Sequence, residues 1–195
     1  KGDLVNPSAL TALIAVRELK SKPGSTIIYN LISSKAVAEV ITENKGVGLR
    51  SRVGHSYIKS LMAESGAIFG GEHSGHFYFA DFWRADSGML AALYALAELM
   101  DSNKPLSNLL KPYNRYFSSG EINSKVKDAK KSINLIREKY QGSYQVDELD
   151  GLTITADTWW FNLRSSNTEP LLRLNVEANT EKQMAEIRDT VLALI

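Results

Sequence analysis

Between the apolar runs Ala67–Phe69 and Phe77–Phe79 the chain places Gly70-Gly71-Glu72-His73-Ser74-Gly75-His76, which is three glycines, one carboxylate, one hydroxyl and two imidazoles. A plain turn needs far less polarity. The Glu72 carboxylate and the Ser74 hydroxyl suit hydrogen bonding to the vicinal hydroxyls of a sugar, and the glycines let backbone approach a ligand closely. Two other chemistries can be weighed against this. A nucleophile elbow needs glycine two residues to either side of its serine, whereas Ser74 has Glu72 and His76 there. A metal site drawn from Glu72, His73 and His76 lacks the helical H-E-x-x-H spacing, and the glycines argue against a helix. A metal hydrolase centred on those three residues is nonetheless a rival reading.

A second polar stretch, Arg164-Ser165-Ser166-Asn167-Thr168-Glu169-Pro170, separates two strand-like runs. Arg164 can offer a forked contact to phosphate, and Ser165, Ser166, Asn167 and Thr168 are short neutral donors for its oxygens. Backbone N–H groups of such a loop can converge on an anion. The alternative is an ordinary Ser/Asn turn beside an exposed arginine. Arg173 is either a second cation or a strand residue facing water. His55, in Arg52-Val53-Gly54-His55-Ser56, stands between a strand and a helix start, where an imidazole serves as general acid or base or simply as a hydrogen-bonding group. Trp159 and Trp160 alternate along a strand, so at least one packs in a core.

These residues need elements to hold them. With 195 residues, 44% hydrophobic and 23% charged, the chain is long enough for a substantial core in one or two domains. A net charge of +1 gives no overall field for nucleic acid. The absence of cysteine excludes disulfides and thiolate metal sites and fits a reducing compartment, so cytoplasm is the expected location. Gly88–Met100 is too short an apolar run to span a bilayer, and its alanines read as a tightly packed interior helix. No membrane segment is expected. The opening KGDLVNPSAL lacks the order of a signal peptide and reads as the middle of a hairpin, so a fragment of a longer chain is expected.

Asn6 before Pro7 predicts a capped helix with Leu10, Leu13 and Ile14 on one face. TIIYNLI reads as a strand, followed by a helix carrying Val37, Val40 and Ile41 that stops near Gly46. VGLRSRVGH then leads into a helix with Ile58, Leu61 and Met62 that ends at Gly66. Strands alternating with helices of about ten residues predict a three-layer α/β/α domain with a mainly parallel sheet over residues 1–110. The break in pattern from Asp101 to Gly120, with one helical patch at LSNLLKPYNRYF, marks the boundary. Residues 111–195 then read as a small α+β domain with a mostly antiparallel sheet. Its elements are a polar helix over about 125–140, strands at QVDEL, LTITAD, WWFNL and LLRLNVEA with a turn at Asp150-Gly151, and a last helix opened by the Thr180–Gln183 capping box.

Taken together, GEHSGH, RVGHS upstream and RSSNTEPLLR downstream resemble the C-terminal half of the α-D-phosphohexomutase family of phosphomannomutases and phosphoglucomutases, with wording nearest the bacterial phosphomannomutases. The resemblance runs through essentially the whole chain. It implies four domains in a full-length protein: a phosphoserine on the first, a D-G-D-x-D-R metal loop on the second, a sugar loop on the third and a phosphate loop on the fourth. GEHSGH resembles the sugar loop and RSSNTEP the phosphate loop. By this resemblance Glu72 and Ser74 contact sugar hydroxyls, His55 is a ligand contact or proton-transfer group, and Arg52, Lys59 and His76 join the substrate contacts. Arg164, Ser166, Asn167 and Thr168 hold the non-reacting phosphate.

The chain lacks wording like the serine phosphorylation loop and has no D-G-D-x-D-R, and KGDLVNP is similar to the segment just after the family's metal loop. The resemblance therefore implies Mg2+ in the full-length enzyme with its ligands outside this chain, hexose 1,6-bisphosphate as intermediate, a hexose phosphate substrate, and missing N-terminal domains as partners. Where some relatives carry a basic residue this chain has Asn30-Leu31-Ile32, which shifts the expected positive charge to Arg50 or Arg52. A non-catalytic phosphosugar-binding module is the alternative to a mutase.

Overall fold

The structure is a computed structural model that describes residues 2, 4–166 and 169–195. The chain divides into two compact units, one running through Arg115 and the other Tyr116–Ile195.

In the first unit, helix α1 (Pro7–Ser21) starts where the sequence predicts, with the Asn6 side chain accepting from the Ser8 amide at 2.9 Å. Strand β1 (Thr26–Asn30), helix α2 (Lys35–Glu43), strand β2 (Val47–Ser51), helix α3 (His55–Ser65) and strand β3 (Phe69–Gly71) come next. Strand β4 (Phe77–Phe79) and the short β5 (Ala85–Asp86) complete a sheet of order β2-β1-β3-β4-β5. The pairings of β1 with β2 and β3 are parallel, and those of β4 with β3 and β5 are antiparallel. Helices α4 (Gly88–Ser102) and α5 (Leu106–Leu110) close the unit.

Both faces of the sheet are covered, because neighbouring strand residues point opposite ways. Ile27, Phe69, Phe77 and Phe79 pack with Leu13 and Ile14 of α1 and Val37 and Ile41 of α2, while Ile28 and Tyr78 pack with Ile58 and Met62 of α3. Two glycines permit this close layering. A Cβ at Gly70 would stand 3.1 Å from Ile58, and one at Gly71 would stand 2.4 Å from the Thr11 side chain. Arg115 ties the end of the unit to α2 through Glu43, at 2.6 Å to each carboxylate oxygen, and Glu39, at 3.1 Å.

Three local expectations change. Helix α2 stops at Glu43, and Lys45, not a glycine, takes the left-handed conformation (φ 60°). Gly46 is required instead by packing, since a Cβ there would meet the Leu19 methyls at 2.7 Å. Helix α4 is not an interior helix: only Ala91 is buried, and Met89, Leu93, Leu96 and Met100 are exposed. Finally, the predicted polar helix over 125–140 begins only at Ala129, because residues 117–125 form a strand.

That strand, β6 (Phe117–Lys125), opens the second unit. After it come helix α6 (Ala129–Tyr140), strands β7 (Gln145–Asp147), β8 (Leu152–Thr155), β9 (Trp159–Ser165) and β10 (Leu171–Ala178), and helix α7 (Glu181–Leu192). The sheet is antiparallel throughout, in the order β6-β10-β9-β8-β7. Thr180 caps α7 by accepting from the Gln183 amide at 3.2 Å.

One sheet face is the core, with Leu152, Ile154, Phe161, Leu163, Leu172, Leu174 and Val176 packed with Ile136, Tyr140, Met184 and Val191. Trp159 belongs to this core, against Tyr140, Tyr144 and Phe161. Trp160 falls on the opposite face, where its Nε1 donates to Glu177 at 2.9 Å. That opposite face is polar yet largely withdrawn from water: Thr153, Asn162, Arg164, Asn175 and Glu177 are all buried. No helix among the described residues is long and apolar enough to cross a membrane.

Candidate functional site

The loop from Glu72 to His76 joins β3 to β4 as a tight turn. The Glu72 amide donates to the His76 carbonyl at 2.9 Å and the Gly75 amide to the Glu72 carbonyl at 3.0 Å, with Gly75 at φ 87°. A left-handed residue is required there, which explains that glycine.

The side chains of the loop are fixed from beneath. Glu72 is 2% exposed. Its carboxylate accepts from the Tyr78 hydroxyl at 2.7 Å and from Asn30 Nδ2 at 3.4 Å. The Asn30 amide is oriented by its own oxygen, which accepts from Ser33 Oγ at 2.8 Å and from the His73 amide at 3.4 Å, so Nδ2 must face Glu72. Burial first, and then the hydrogen bond to Glu72, pushes the Tyr78 phenol far above its ordinary range, so it is a permanent donor. His73 is anchored to Ser8 at the start of α1, Nδ1 to Oγ 2.9 Å. His76 Nδ1 lies 2.6 Å from Asp86 Oδ2, and Asp86 Oδ1 accepts from the Phe77 amide at 2.9 Å.

Above Glu72 opens a cavity of about 420 Å³ lined by Gly54, His55, Lys59, Glu72, Ser74, His76, Tyr78 and Asp86. The structure therefore gathers His55, Lys59, Glu72, Ser74 and His76 from two places in the sequence. The β3–β4 turn presents three of them, and α3 presents the other two from its first turns. Helix α3 has no side-chain cap, and its N-terminal partial positive charge adds to that of Lys59. Arg52 is outside the lining, with its guanidinium 4.5 Å from the Tyr57 ring centroid. Arg50 lies on β2 in register with Tyr29.

A larger groove, about 890 Å³, runs between α1 and α4. Its Arg17 is bound to Glu98 and Asp101, and its Lys22 to Asp81. The smaller cavity, with two hydroxyls, two carboxylates, two imidazoles and an ammonium converging, is the better equipped for a polyhydroxylated anion.

In the second unit Arg164 and Arg173 stand directly opposite each other on β9 and β10. Arg164 is 5% exposed and binds Glu121 through Nη2 at 3.0 Å. Arg173 reaches Glu121 at 3.4 Å, Ser166 Oγ at 3.1 Å and Glu169 at 3.6 Å. Ser165 ends β9 in register with Leu172, and the Ser166 amide donates to the Leu171 carbonyl at 2.8 Å. Asn167 and Thr168 lie outside the described residues. Among those described, no group of three or more His, Asp or Glu side chains is placed to hold a metal ion.

Sequence reasoning passed over Tyr78, Asp86 and Glu121, and noted Asn30 only as standing where some relatives carry a basic residue. One signal was available: Asn30 interrupts the apolar run Ile27–Ile32, and a lone amide in such a run marks a buried hydrogen-bonding task.

Two family models match the chain: "Phosphoglucomutase/phosphomannomutase, alpha/beta/alpha domain III" over residues 6–116, and "Phosphoglucomutase/phosphomannomutase, C-terminal domain" over 121–194. A phosphomannomutase of Methanocaldococcus jannaschii is 45% identical over 194 residues, covering 100% of this chain and 43% of that protein. A phosphomannomutase of Escherichia coli K12 is 37% identical over 198 residues, with the same two coverages. Among solved structures, a phosphoglucomutase/phosphomannomutase family protein from Burkholderia thailandensis superposes with a TM-score of 0.84 at 30% identity, over 99% of this chain and 42% of that one. The chain thus spans less than half the length of the curated relatives it matches.

Proposed function

The chain belongs to the phosphoglucomutase/phosphomannomutase family, and on that premise we propose that it supplies the substrate-holding part of an enzyme interconverting hexose 6-phosphate and hexose 1-phosphate. The first unit reads sugar hydroxyls with Glu72 and Ser74, assisted by His76 and Lys59. His55 is a ligand contact or proton-transfer group. The second unit holds the phosphate that does not react, through Arg164, Arg173 and the loop Ser165–Thr168. Arg52, outside the cavity lining, contributes positive charge at longer range.

The observation that carries this reading is the convergence of His55, Lys59, Glu72, Ser74 and His76 on one cavity. A buried carboxylate oriented by Tyr78 and Asn30 is a directional acceptor for vicinal hydroxyls, which a plain turn has no need of. Phosphoryl transfer depends mainly on positioning and on charge stabilisation, and positioning is what these residues provide. The bisphosphate intermediate, Mg2+ and the phosphoryl donor belong to the whole enzyme.

The test has two arms. In an NMR titration, glucose 6-phosphate is expected to shift the amides of residues 72–76 and 164–166, whereas inorganic phosphate is expected to shift only the second set. The purified 195-residue chain is expected to turn over neither hexose phosphate by itself. Robust interconversion by the chain alone, or a sugar phosphate that leaves residues 72–76 unmoved, would overturn the reading.

A further inference from the structure

Arg164 and Arg173 are paired across neighbouring strands, so two positive charges face each other directly. Like charges so placed repel and, left alone, would splay. They do not, because a third strand supplies a carboxylate. Glu121 sits on β6, which flanks β10 on the side away from β9. Its two oxygens are shared out, Oε2 to Arg164 Nη2 at 3.0 Å and Oε1 to Arg173 Nη1 at 3.4 Å. One carboxylate therefore spans β10 and fixes both forks.

What Glu121 leaves open matters equally. The Nε atoms of both arginines are buried and have no hydrogen-bond partner among the described residues. Buried donors without partners are rare in folded proteins and call for an explanation. Arg173 also holds Ser166 Oγ at 3.1 Å, which links the pair to the start of the loop.

We infer that Glu121 is a positioning residue for anion recognition: it grips Nη groups of Arg164 and Arg173 and so fixes the two guanidinium planes beside the loop that takes a phosphate. This rests on the reading of Arg164–Thr168 as the phosphate-holding loop. The sign of its effect distinguishes it from a simple electrostatic bystander. A carboxylate this close to an anion site lowers the local positive charge, so deleting its charge should tighten phosphate binding if charge were its only influence. A positioning role predicts the reverse.

The experiment is an NMR titration of the full chain with inorganic phosphate, comparing the unaltered protein with Glu121→Gln, which keeps shape and removes charge, and with Arg164→Ala. Glu121→Gln is expected to weaken phosphate binding about tenfold, the equivalent of one charge-assisted hydrogen bond. The Nε–H signals of Arg164 and Arg173 are expected to lose protection from solvent exchange, while the core-face amides of Leu172 and Leu174 keep their positions. That combination separates local positioning from general destabilisation. If the core amides do move, Glu121→Asp is read in its place, since it retains the charge but is too short to span both arginines, and the same loss is expected. Unchanged or tighter binding with either variant overturns the inference. Should Arg164→Ala leave phosphate binding intact, the phosphate-loop reading itself falls, and the role of Glu121 falls with it.

Discussion

Replacing Tyr78 by Phe tests the support beneath the first unit's cavity. The hydroxyl is its contact with the Glu72 carboxylate, at 2.7 Å, and the Asn30 bond at 3.4 Å is too long to take over. Glu72 is 2% exposed, so water from the cavity replaces the lost donor only in part. A hydrogen bond to a charged group contributes about 1.5–3 kcal/mol, and leaving the carboxylate short of a donor puts the expected loss near 2 kcal/mol. Glu72→Gln should also be destabilising, for a different reason: with its oxygen toward Asn30 Nδ2, its N–H groups face the Tyr78 hydroxyl, which must turn from donor to acceptor, and a charge-assisted bond becomes a neutral one. The two losses share one interaction, so the double variant is expected to be less destabilised than the sum of the singles by about 1–2 kcal/mol. Native-state hydrogen exchange at the Ile27–Tyr29 and Phe69–Gly71 amides reads the stability of this unit separately from the other. A loss below about 0.5 kcal/mol in Tyr78→Phe would mean that Glu72 draws its support elsewhere, and the reasoning would fail.

Two further perturbations arise from the same packing. Burial, joined by hydrogen bonds to Glu72 and Glu18, pushes the phenols of Tyr78 and Tyr94 upward. Stability from these groups is fully present below the ordinary tyrosine value of about 10 and is lost as pH rises above it, because the unfolded chain ionises first. A tyrosinate absorbance titration should therefore show the Tyr78 and Tyr94 phenols ionising only with unfolding, and their ionisation near pH 10 in the folded protein would contradict this. Gly71→Ala places a methyl 2.4 Å from the Thr11 Oγ1 and Cγ2 atoms and is expected to cost about 1–3 kcal/mol, partly recovered by adding Thr11→Ala. No recovery in the thermal melt of the double variant would mean that the strain lies elsewhere.

The elements most legible in the sequence were those with local chemical signals. Asn6, Thr180 and Gly66 mark helix ends through side-chain caps or left-handed backbone, which a few neighbouring residues determine. The two loops stood out because their polarity exceeds what turns require. Strand β6 was hidden because FSSGEINSK has no apolar alternation; it exists through its pairing with β10, about fifty residues away. Glu121 was invisible for the same reason. The outward face of α4 could not be read from its composition, since an apolar helix pattern does not say which faces find partners. Likewise Gly46 looked like a helix stop, while its real constraint, the Leu19 side chain, comes from another helix.

The central claim is a division of labour, with hydroxyls read at Glu72 and phosphate held at Arg164. Calorimetric titration of the chain with glucose 6-phosphate and with inorganic phosphate tests it most directly. The account predicts that Glu72→Gln weakens the sugar phosphate about tenfold and leaves inorganic phosphate unchanged, whereas Arg164→Ala weakens both. Equal losses for the two ligands in Glu72→Gln, or none for either, would contradict it.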